Sequence, residues 1–302
     1  MPDRDQPTVH EFTVGRPGAG PYGITAGPDG ALWLTLVHSG EIARLSVTGD
    51  GTAETTVRPL DSGECGPMVI TTGPDGALWF TRSRDGRIGR ITTDGEITSF
   101  ALPAADSAPY GITAGPDGAL WCTLMNRDAL ARITTEGEIT EFPLPVEGGF
   151  PSAVVTGGDG ALWCTLNQGN AIGRLAPDGD TTLYELPTPG AGPVGMTLGG
   201  DGAVWFVEII AGQIGRITPD GRIQEFPLPD RTAKPHAIAP DPAGGCWFTA
   251  WGTGRVGHVD ATGKIREHPL PTPSSEPHGI AVTADGTVWA ALESGSVARL
   301  IP

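Results

Sequence analysis

The sequence has few positive charges for its length. Its 302 residues include 19 Lys and Arg against 35 Asp and Glu, so the formal net charge is −16 at pH 7. Surfaces that bind nucleic acid or anionic membranes present clustered Lys and Arg, because their partners carry dense phosphate charge. The composition therefore argues against both partners, and we expect neither nucleic acid nor a membrane to be bound.

Long hydrophobic segments are also missing. Nowhere do about 18 apolar residues run together, the length that a membrane-spanning helix needs. The N-terminal segment, MPDRDQPTVHEF, lacks the basic stretch and apolar core of a secretory signal. These observations predict a soluble protein of the cytoplasm.

Cysteine is scarce, and familiar catalytic motifs are missing. None of Cys65, Cys122, Cys164 and Cys246 belongs to a C-x-x-C pair, and we expect small, buried, reduced thiols. The chain has no G-x-S-x-G, no G-x-x-x-x-G-K-[ST] and no H-E-x-x-H. It therefore lacks the local signatures of serine hydrolases, P-loop nucleotide-binding proteins and zinc proteases.

Tryptophan marks a repeat of 42 residues. Seven of the eight tryptophans follow this spacing, except that the first two are 46 residues apart. They are Trp33, Trp79, Trp121, Trp163, Trp205, Trp247 and Trp289. The 46 Gly and 29 Pro fall at regular intervals between short apolar segments, which is typical of turns. The chain is seven copies of one unit.

Each unit contains four β-prone segments and no segment long enough for a convincing helix. This pattern predicts an all-β fold, a seven-bladed β-propeller with four antiparallel strands per blade. A β-solenoid is the alternative, although its repeats are usually shorter. We predict a single domain over residues 1–302, in which the four extra residues near 46–65 form a longer surface loop.

The two ends of the chain complement each other. Residues 8–14, TVHEFTV, resemble the fourth strand of a unit, whereas the last unit stops after its third strand, GSVARLIP. The N-terminal strand is therefore predicted to complete the last blade. Such closure would remove an exposed sheet edge.

Three positions vary while the frame around them stays constant. Slots x and z lie in the segment x-P-z-G-I-T, and slot w lies four residues after the repeat Trp. Slot x holds Gly20, Gly66, Ala108, Phe150, Gly192, Lys234 and Glu276; slot z holds Tyr22, Met68, Tyr110, Ser152, Val194, His236 and His278; slot w holds Val37, Ser83, Met125, Asn167, Ile209, Trp251 and Glu293. Because the first strand of a blade normally lies nearest the propeller axis, these slots should ring one mouth of the central channel.

In the last unit these slots hold two carboxylates and an imidazole. A two-residue turn at Asp285 and Gly286 would place His278 opposite Glu293, with Glu276 on the same face. The three side chains are therefore predicted to cluster at the mouth. The alternative is that they are solvated residues at a variable loop end.

The predicted cluster suits metal-assisted chemistry. Mg²⁺ keeps several waters and typically takes one or two protein carboxylates, here Glu276 and Glu293. A neighbouring histidine can accept a proton near neutral pH. The spacing is compatible with removal of a proton next to a carbonyl and equally with metal-assisted hydrolysis.

Other acidic and imidazole side chains are weaker candidates. Glu208, three residues after its Trp, could face the channel or be a solvated acid. The remaining histidines have no partner at an obvious spacing and are interpreted as structural: His10, His38, His258 and His268.

Several motifs resemble the virginiamycin B lyase family, the streptogramin B lyases. They are GPYGIT, SAPYGIT, KPHAI, the WG at Trp251 and above all EPHGI followed by LES, and the resemblance extends from residue 8 to residue 301. It implies a monomeric, Mg²⁺-dependent propeller. Such an enzyme linearises cyclic depsipeptide antibiotics by elimination at a threonyl ester.

The resemblance also implies roles for individual residues. His278 would be the general base, and Glu276 and Glu293 would hold Mg²⁺. The remaining mouth residues would bind the substrate: His236, Tyr22, Tyr110 and Trp251.

One feature departs from the family. An acid often follows the repeat Trp by three residues, and this chain retains it only at Glu208, a change expected to reshape the walls of the mouth. The alternative functions are a metal-dependent propeller lactonase and a non-catalytic propeller that binds a small ligand.

Overall fold

The fold is built from short strands joined by turns. The computed structural model describes residues 7–48 and 51–301. They form 28 strands and one 3₁₀ helix, and the strands make seven four-stranded antiparallel sheets. No helix in this part of the chain is long and apolar enough to cross a membrane. The predicted seven-bladed propeller is confirmed.

We number the blades from that of Trp33 (blade 1) to that of Trp289 (blade 7). The strands are β1 (Thr8–Thr13), β2 (Pro21–Ala26), β3 (Leu32–Leu36), β4 (Glu41–Val47), β5 (Ala53–Pro59), β6 (Pro67–Thr72), β7 (Leu78–Arg82), β8 (Arg87–Ile91), β9 (Ile97–Ala101), β10 (Pro109–Ala114), β11 (Leu120–Leu124), β12 (Ala129–Ile133), β13 (Ile139–Pro143), β14 (Pro151–Thr156), β15 (Leu162–Leu166), β16 (Ala171–Leu175), β17 (Thr181–Glu185), β18 (Pro193–Leu198), β19 (Val204–Glu208), β20 (Gln213–Ile217), β21 (Ile223–Pro227), β22 (Pro235–Pro240), β23 (Cys246–Ala250), β24 (Arg255–Val259), β25 (Ile265–Pro269), β26 (Pro277–Val282), β27 (Val288–Leu292) and β28 (Ser296–Ile301). The 3₁₀ helix spans Trp251–Thr253.

The N-terminal strand closes the ring. β1 pairs antiparallel with β28, with Thr8 opposite Ile301 and Thr13 opposite Ser296. Blade 7 therefore has the order β1-β28-β27-β26, as the sequence predicted. Closure places blade 7 beside blade 1, so mouth residues from the two ends of the chain become neighbours.

The hydrophobic core lies between adjacent blades. The seven repeat tryptophans are between 0% and 7% exposed. At the closure, Trp289 of blade 7 joins Ile24 and Leu34 of blade 1 in one buried cluster. All four cysteines are buried and free, as predicted.

The four extra residues of blade 1 lengthen a hairpin instead of forming a longer loop. β4 and β5 have seven residues each, whereas β8 and β9 of blade 2 have five. Each strand therefore gains two residues. The predicted surface loop was wrong because the insertion continues the β-pairing, with Val47 opposite Ala53.

Threonine hydroxyls join neighbouring blades close to the channel. Thr249 accepts a hydrogen bond from the Ala237 N–H at 3.0 Å and donates to the His278 carbonyl of the next blade at 2.8 Å. The same donation to a slot z carbonyl recurs at Thr35, Thr81, Thr123 and Thr165. Val207 and Ala291 replace the threonine in blades 5 and 7.

Candidate active site

The predicted cluster of two carboxylates and a histidine is present. Each of Glu276, His278 and Glu293 offers a ligand atom, and these atoms lie within 4.8 Å of one another. Glu276 immediately precedes β26, His278 lies within it, and Glu293 immediately follows β27. One hairpin thus brings together all three groups at the mouth.

The register of this hairpin differs from the prediction. Val282 pairs with Val288, and the Thr283 N–H donates to the Thr287 carbonyl, so the turn is longer than the two residues expected. A bulge then shifts the register between Pro277 and Ile280. His278 therefore lies in the bulge and does not pair directly with Glu293.

A backbone hydrogen bond holds the two carboxylate-bearing residues together. The Glu293 N–H donates to the Glu276 carbonyl at 3.0 Å. Bulges re-aim side chains near functional sites, and this one directs the His278 imidazole at Glu293.

Two imidazoles contact the Glu293 carboxylate. His278 Nε2 lies 2.5 Å from Glu293 Oε2, and His38 Nε2 lies 2.7 Å from Oε1. These contacts, above all the hydrogen bond from His278, lower the pKa of Glu293 to about 2. Glu293 is therefore ionised at neutral pH.

His38 is the residue that sequence reasoning missed. It follows Trp33 by five residues and was interpreted as structural, yet it contacts a mouth carboxylate of blade 7. The sequence did contain a signal for this contact. His38 directly follows slot w of blade 1, and ring closure makes that blade the neighbour of blade 7.

A hydrogen-bonded aromatic group lies beside the cluster. Tyr22 Oη is 2.8 Å from Tyr110 Oη and 3.1 Å from His236 Nε2, and Tyr110 Oη is 3.3 Å from the same nitrogen. The Tyr22 ring stacks on His278 with centroids 4.7 Å apart. Residues from blades 1, 3, 6 and 7 thus meet at the channel axis.

Burial keeps this aromatic group uncharged. Desolvation, followed by the proximity of His278, lowers the pKa of His236 to about 3. Desolvation also raises the pKa of Tyr110 to about 12 and that of Tyr22 well above its ordinary value. At neutral pH these three side chains offer hydrogen bonds and no charge.

Trp251 completes the group of predicted site residues. It lies in the 3₁₀ helix, half-buried, with its ring centroid 6.1 Å from that of His278. The seven residues predicted from sequence therefore gather at one place. Their individual roles remain predictions.

The donor set fits a hard divalent cation. Glu276 is exposed, and its carboxylate makes no hydrogen bond or ion pair with any described residue, so its oxygens are available. With Glu293 it supplies the two carboxylates that suffice for Mg²⁺. Glu276 and Glu293 are thus the residues that could hold the ion.

Glu208 is neither a channel residue nor a solvated acid. Its side chain is 0% exposed, and the Gln213 amide donates to Oε2 at 2.5 Å. Desolvation raises the pKa of its carboxyl to about 7. The residues at this position, three after each Trp, are all buried at 0% or 1% exposure: Leu36, Arg82, Leu124, Leu166, Glu208, Ala250 and Leu292. The expectation that changes here reshape the mouth was wrong.

The histidines of blade 6 lie in its interior packing. His258 and His268 pack on Trp247, with ring centroids 4.7 Å and 5.9 Å away. His258 also has a partner, because its Nε2 lies 2.8 Å from Asp241 Oδ2. His258 stands opposite Trp247 in the register, where Arg44 stands opposite Trp33 in blade 1.

Known proteins match both the sequence and the fold. The model of the virginiamycin B lyase family matches residues 7–300. A virginiamycin B lyase of Saccharopolyspora erythraea is 66% identical over 44 residues, which is 15% of this chain and 15% of that protein. One of Streptomyces coelicolor is 60% identical over 40 residues, 13% of each chain. These two alignments thus span a small part of each relative's length.

Solved structures match from end to end. The crystal structure of virginiamycin B lyase from Staphylococcus aureus has a TM-score of 0.93 and 42% identity, and the match covers 98% of this chain and 100% of that one. A catalytically inactive variant of the same enzyme was crystallised with quinupristin. The WD40 propeller of Doa1, with a TM-score of 0.79 and 10% identity, shares the fold alone. Because the family model spans nearly the whole chain and the S. aureus structure agrees in sequence and fold, the protein belongs to the virginiamycin B lyase family.

Proposed function

We propose that this protein is a Mg²⁺-dependent carbon–oxygen lyase that inactivates type B streptogramins by opening their ring at the threonyl ester. The observation that carries the proposal is the cluster of Glu276, His278 and Glu293, whose ligand atoms lie within 4.8 Å of one another. Membership of the virginiamycin B lyase family supports the reaction class. The closed ring supports it too, because it adds Tyr22 and His38 to the same mouth.

In this proposal the metal binds the two carboxylates. Glu276 and Glu293 would hold Mg²⁺, and the bound ion would supply a Lewis acid for a substrate carbonyl. Glu293 stays ionised because of its imidazole neighbours, so one ligand carries full charge over the whole physiological pH range.

His278 is the proposed base. Its Nε2 lies 2.5 Å from Glu293 Oε2, and its Nδ1 is buried without a hydrogen-bond partner in the described residues. In the proposed reaction Nε2 exchanges the contact with Glu293 for one with the substrate. Nε2 takes the α-proton of the threonyl residue, and the C–H electrons form a carbon–carbon double bond. The bond from the β-carbon to the ester oxygen breaks, and the oxygen leaves as a carboxylate. No water is added, so product and substrate have the same mass.

The neutral aromatic group positions the reacting parts. Tyr22 stacks on His278 and restrains the rotation of its ring. His236, held neutral by burial, contacts the substrate through hydrogen bonding instead of charge. Tyr110 and Trp251 line the same mouth.

Product mass distinguishes the possible reactions. The protein is incubated with quinupristin, the compound crystallised with the S. aureus relative, in Mg²⁺ and again in EDTA. We expect a ring-opened product of unchanged mass in Mg²⁺ and no conversion in EDTA. A gain of one water would instead show a hydrolase, and no conversion in either condition would favour a binding propeller.

A variant of the base provides the second test. We expect His278→Ala to lower kcat by at least about 100-fold, the contribution typical of a general base. His10→Ala, in the strand that closes the ring, is the matched control. Full turnover by folded His278→Ala protein would contradict the proposal.

A further inference from the structure

A hollow of about 440 Å³ opens beside the candidate active site, between blades 5 and 6. It is lined by Ile209, Ile210, Arg231, Thr232, Lys234 and Trp251. Trp251 belongs to both places, because its ring also lies 6.1 Å from that of His278. A group held in the hollow would therefore be separated from the base by a single side chain.

The hollow contains one strongly exposed apolar side chain, that of Ile210. Ile210 is 70% exposed, and Ile301 is the only other large hydrophobic residue in the described chain that is exposed. The equivalent positions of blades 1 to 4 are polar: His38, Arg84, Asn126 and Gln168. An isoleucine left in water contributes little to folding, whereas a ligand that covered it would gain hydrophobic free energy.

The hollow is also lined by two positively charged side chains, although the protein as a whole is acidic. Arg231 and Lys234 are exposed, and neither makes an ion pair with another residue of the described ranges. Lys234 Nζ lies 4.5 Å from the centroid of the Trp251 ring. Lys234 thus lies against an aromatic ring, and both cations have hydrogen-bond donors free for a ligand.

The backbone at Lys234 is strained, as it is at Ala108, Phe150 and Glu276 in the equivalent slot. Lys234 occupies slot x with φ of 50°, in the left-handed region, where three of the seven blades use glycine. A side chain in this conformation costs roughly 1–2 kcal/mol relative to glycine in the folded state. Lysine at this position is therefore a strained residue beside a candidate site.

We propose that this hollow is a specificity subsite that binds an aromatic group bearing an anionic oxygen. The ring would pack on Ile210 and Trp251, and the anionic oxygen would bind Lys234 and Arg231. This assignment rests on the proposed function, under which the group would be part of the substrate.

Binding of small probes tests the subsite without turnover. The full-length protein is titrated with salicylate, with benzyl alcohol (a neutral ring) and with acetate (an anion without a ring). We expect salicylate to shift the NMR signals of the Trp251 indole and the Ile210 methyl saturably. The other two probes should bind at least about tenfold more weakly, a loss of about 1.4 kcal/mol.

Substitutions test the apolar and the charged parts of the hollow separately. Ile210→Ser and Lys234→Gln should each weaken salicylate binding about tenfold or more. Ile301→Ser and Arg222→Gln, which alter an exposed isoleucine and an exposed arginine elsewhere, should leave it unchanged. Equal affinity for all three probes, or salicylate binding that neither hollow variant weakens, would overturn the proposal.

Steady-state kinetics then connect the subsite to the proposed reaction. With quinupristin, we expect Ile210→Ser and Lys234→Gln to raise KM about tenfold while kcat stays within about twofold, because the contact is made equally in ground and transition states. If the wild-type protein converts no quinupristin, the proposed function fails, and the salicylate titration still decides the subsite. If it converts quinupristin and neither variant changes KM, the subsite fails while the proposed function stands.

Discussion

At the scale of single residues, the backbone conformation of slot x favours glycine, whereas the candidate active site has a glutamate there. All seven slot x residues have φ between 49° and 71°. Glycine adopts this conformation without strain and occupies the slot in blades 1, 2 and 5. Glu276 adopts it with a full side chain, as do Phe150 and Lys234, so the fold tolerates left-handed strain in this slot.

Glu276→Gly should separate these two requirements. Relief of left-handed strain offsets the extra entropy of glycine in the unfolded chain, so we expect the free energy of unfolding to change by less than about 1 kcal/mol. Mg²⁺ affinity should fall sharply, because one of only two carboxylates is lost. Urea denaturation and Mg²⁺ titration calorimetry measure the two effects.

Ala108→Gly is the matched control, since Ala108 occupies slot x of blade 3 with φ of 49°. Ala108→Gly should change the free energy of unfolding as little as Glu276→Gly does, and it should leave the Mg²⁺ affinity unchanged. Unchanged Mg²⁺ affinity in Glu276→Gly would remove Glu276 from the proposed metal site.

Glu208 gives the second prediction at this scale. Its folded pKa of about 7 exceeds its ordinary value of 4.5, because its carboxyl is buried. Between these pH values the folded state keeps a proton that the unfolded state has released. The carboxyl therefore makes the free energy of unfolding fall as pH rises through this window, by about 3 kcal/mol.

Glu208→Gln should remove this dependence. We expect the variant and wild type to have similar stability at pH 4.5 and the variant to be more stable at pH 8, as measured by urea denaturation. Glu138→Gln, at an exposed carboxylate, should follow the wild type at both pH values. Parallel curves for Glu208→Gln and wild type would show that the carboxyl titrates normally.

Much of the site could be predicted because the repeats can be compared within one sequence. Variation in slots x, z and w against a constant frame identified Glu276, His278, Glu293, His236, Tyr22, Tyr110 and Trp251 as mouth residues. His38 was not predicted as a site residue, because its partner Glu293 is 255 residues away in the sequence and the contact exists only after the ring closes. The burial of Glu208 was not predicted because its hydrogen bond from the Gln213 amide has no local sequence signature.

At the scale of strands and hairpins, local turn chemistry was the part least accessible from sequence. The Asp-Gly pair suggested a two-residue turn, but Gly286, with φ of 82°, lies within a longer turn that the hydrogen bond from the Thr283 N–H to the Thr287 carbonyl closes. The bulge between Pro277 and Ile280 then shifts the register by one further residue in the same direction. The predicted cluster of Glu276, His278 and Glu293 forms despite the different register, because the Glu293 N–H donates a hydrogen bond to the Glu276 carbonyl.

The threonine bonds between blades give a prediction at this scale. Thr249 fixes the carbonyl of His278 and thereby the backbone that carries the proposed base. Blade 5 folds with Val207 at the same position, so Thr249→Val should fold as well. We expect a fall in kcat of about tenfold with little change in KM, and recovery in Thr249→Ser, which keeps the hydroxyl.

Thr123→Val is the control for a merely structural role. Thr123 makes the same bond to Ser152, on the far side of the ring from the cluster. Loss of a buried hydrogen bond should cost both variants about 1–3 kcal/mol in stability, but only Thr249→Val should lower kcat. An equal effect of both variants on kcat would show that the bond acts through overall stability alone.

At the scale of the whole molecule, the fold was predictable because every level of the sequence agrees. A repeat of constant length, four β-prone segments in each unit and complementary chain ends all indicate a closed ring. Closure also assembles the site, since blade 7 supplies Glu276, His278 and Glu293, and blade 1 supplies Tyr22 and His38. The strand that fastens these blades is β1.

Moving β1 to the other end of the chain tests whether closure, and not chain order, makes the site. Thr8 lies opposite Ile301, so a short Asn-Gly turn can join residue 301 to residue 8 and leave residue 14 as the new start. We expect this permutant to keep the Mg²⁺ affinity and turnover of the wild type. Deletion of residues 1–13 should instead expose the edge of β28 and lower the free energy of unfolding by more than about 3 kcal/mol, since buried apolar contacts of Val9 and Phe12 are lost.

A permutant carrying Phe12→Asp distinguishes specific packing from the mere presence of a fourth strand. Phe12 lies 6.1 Å from the Trp289 ring and packs on the cluster that joins blades 7 and 1. An aspartate there would place an unpaired carboxylate against that core. We therefore expect this permutant to resemble the deletion in thermal stability. Both proteins should bind Mg²⁺ more weakly than the wild type. If the deletion alone bound Mg²⁺ as tightly as the wild type, blade 7 would form the metal site without closure, and the contact of His38 with Glu293 would be dispensable.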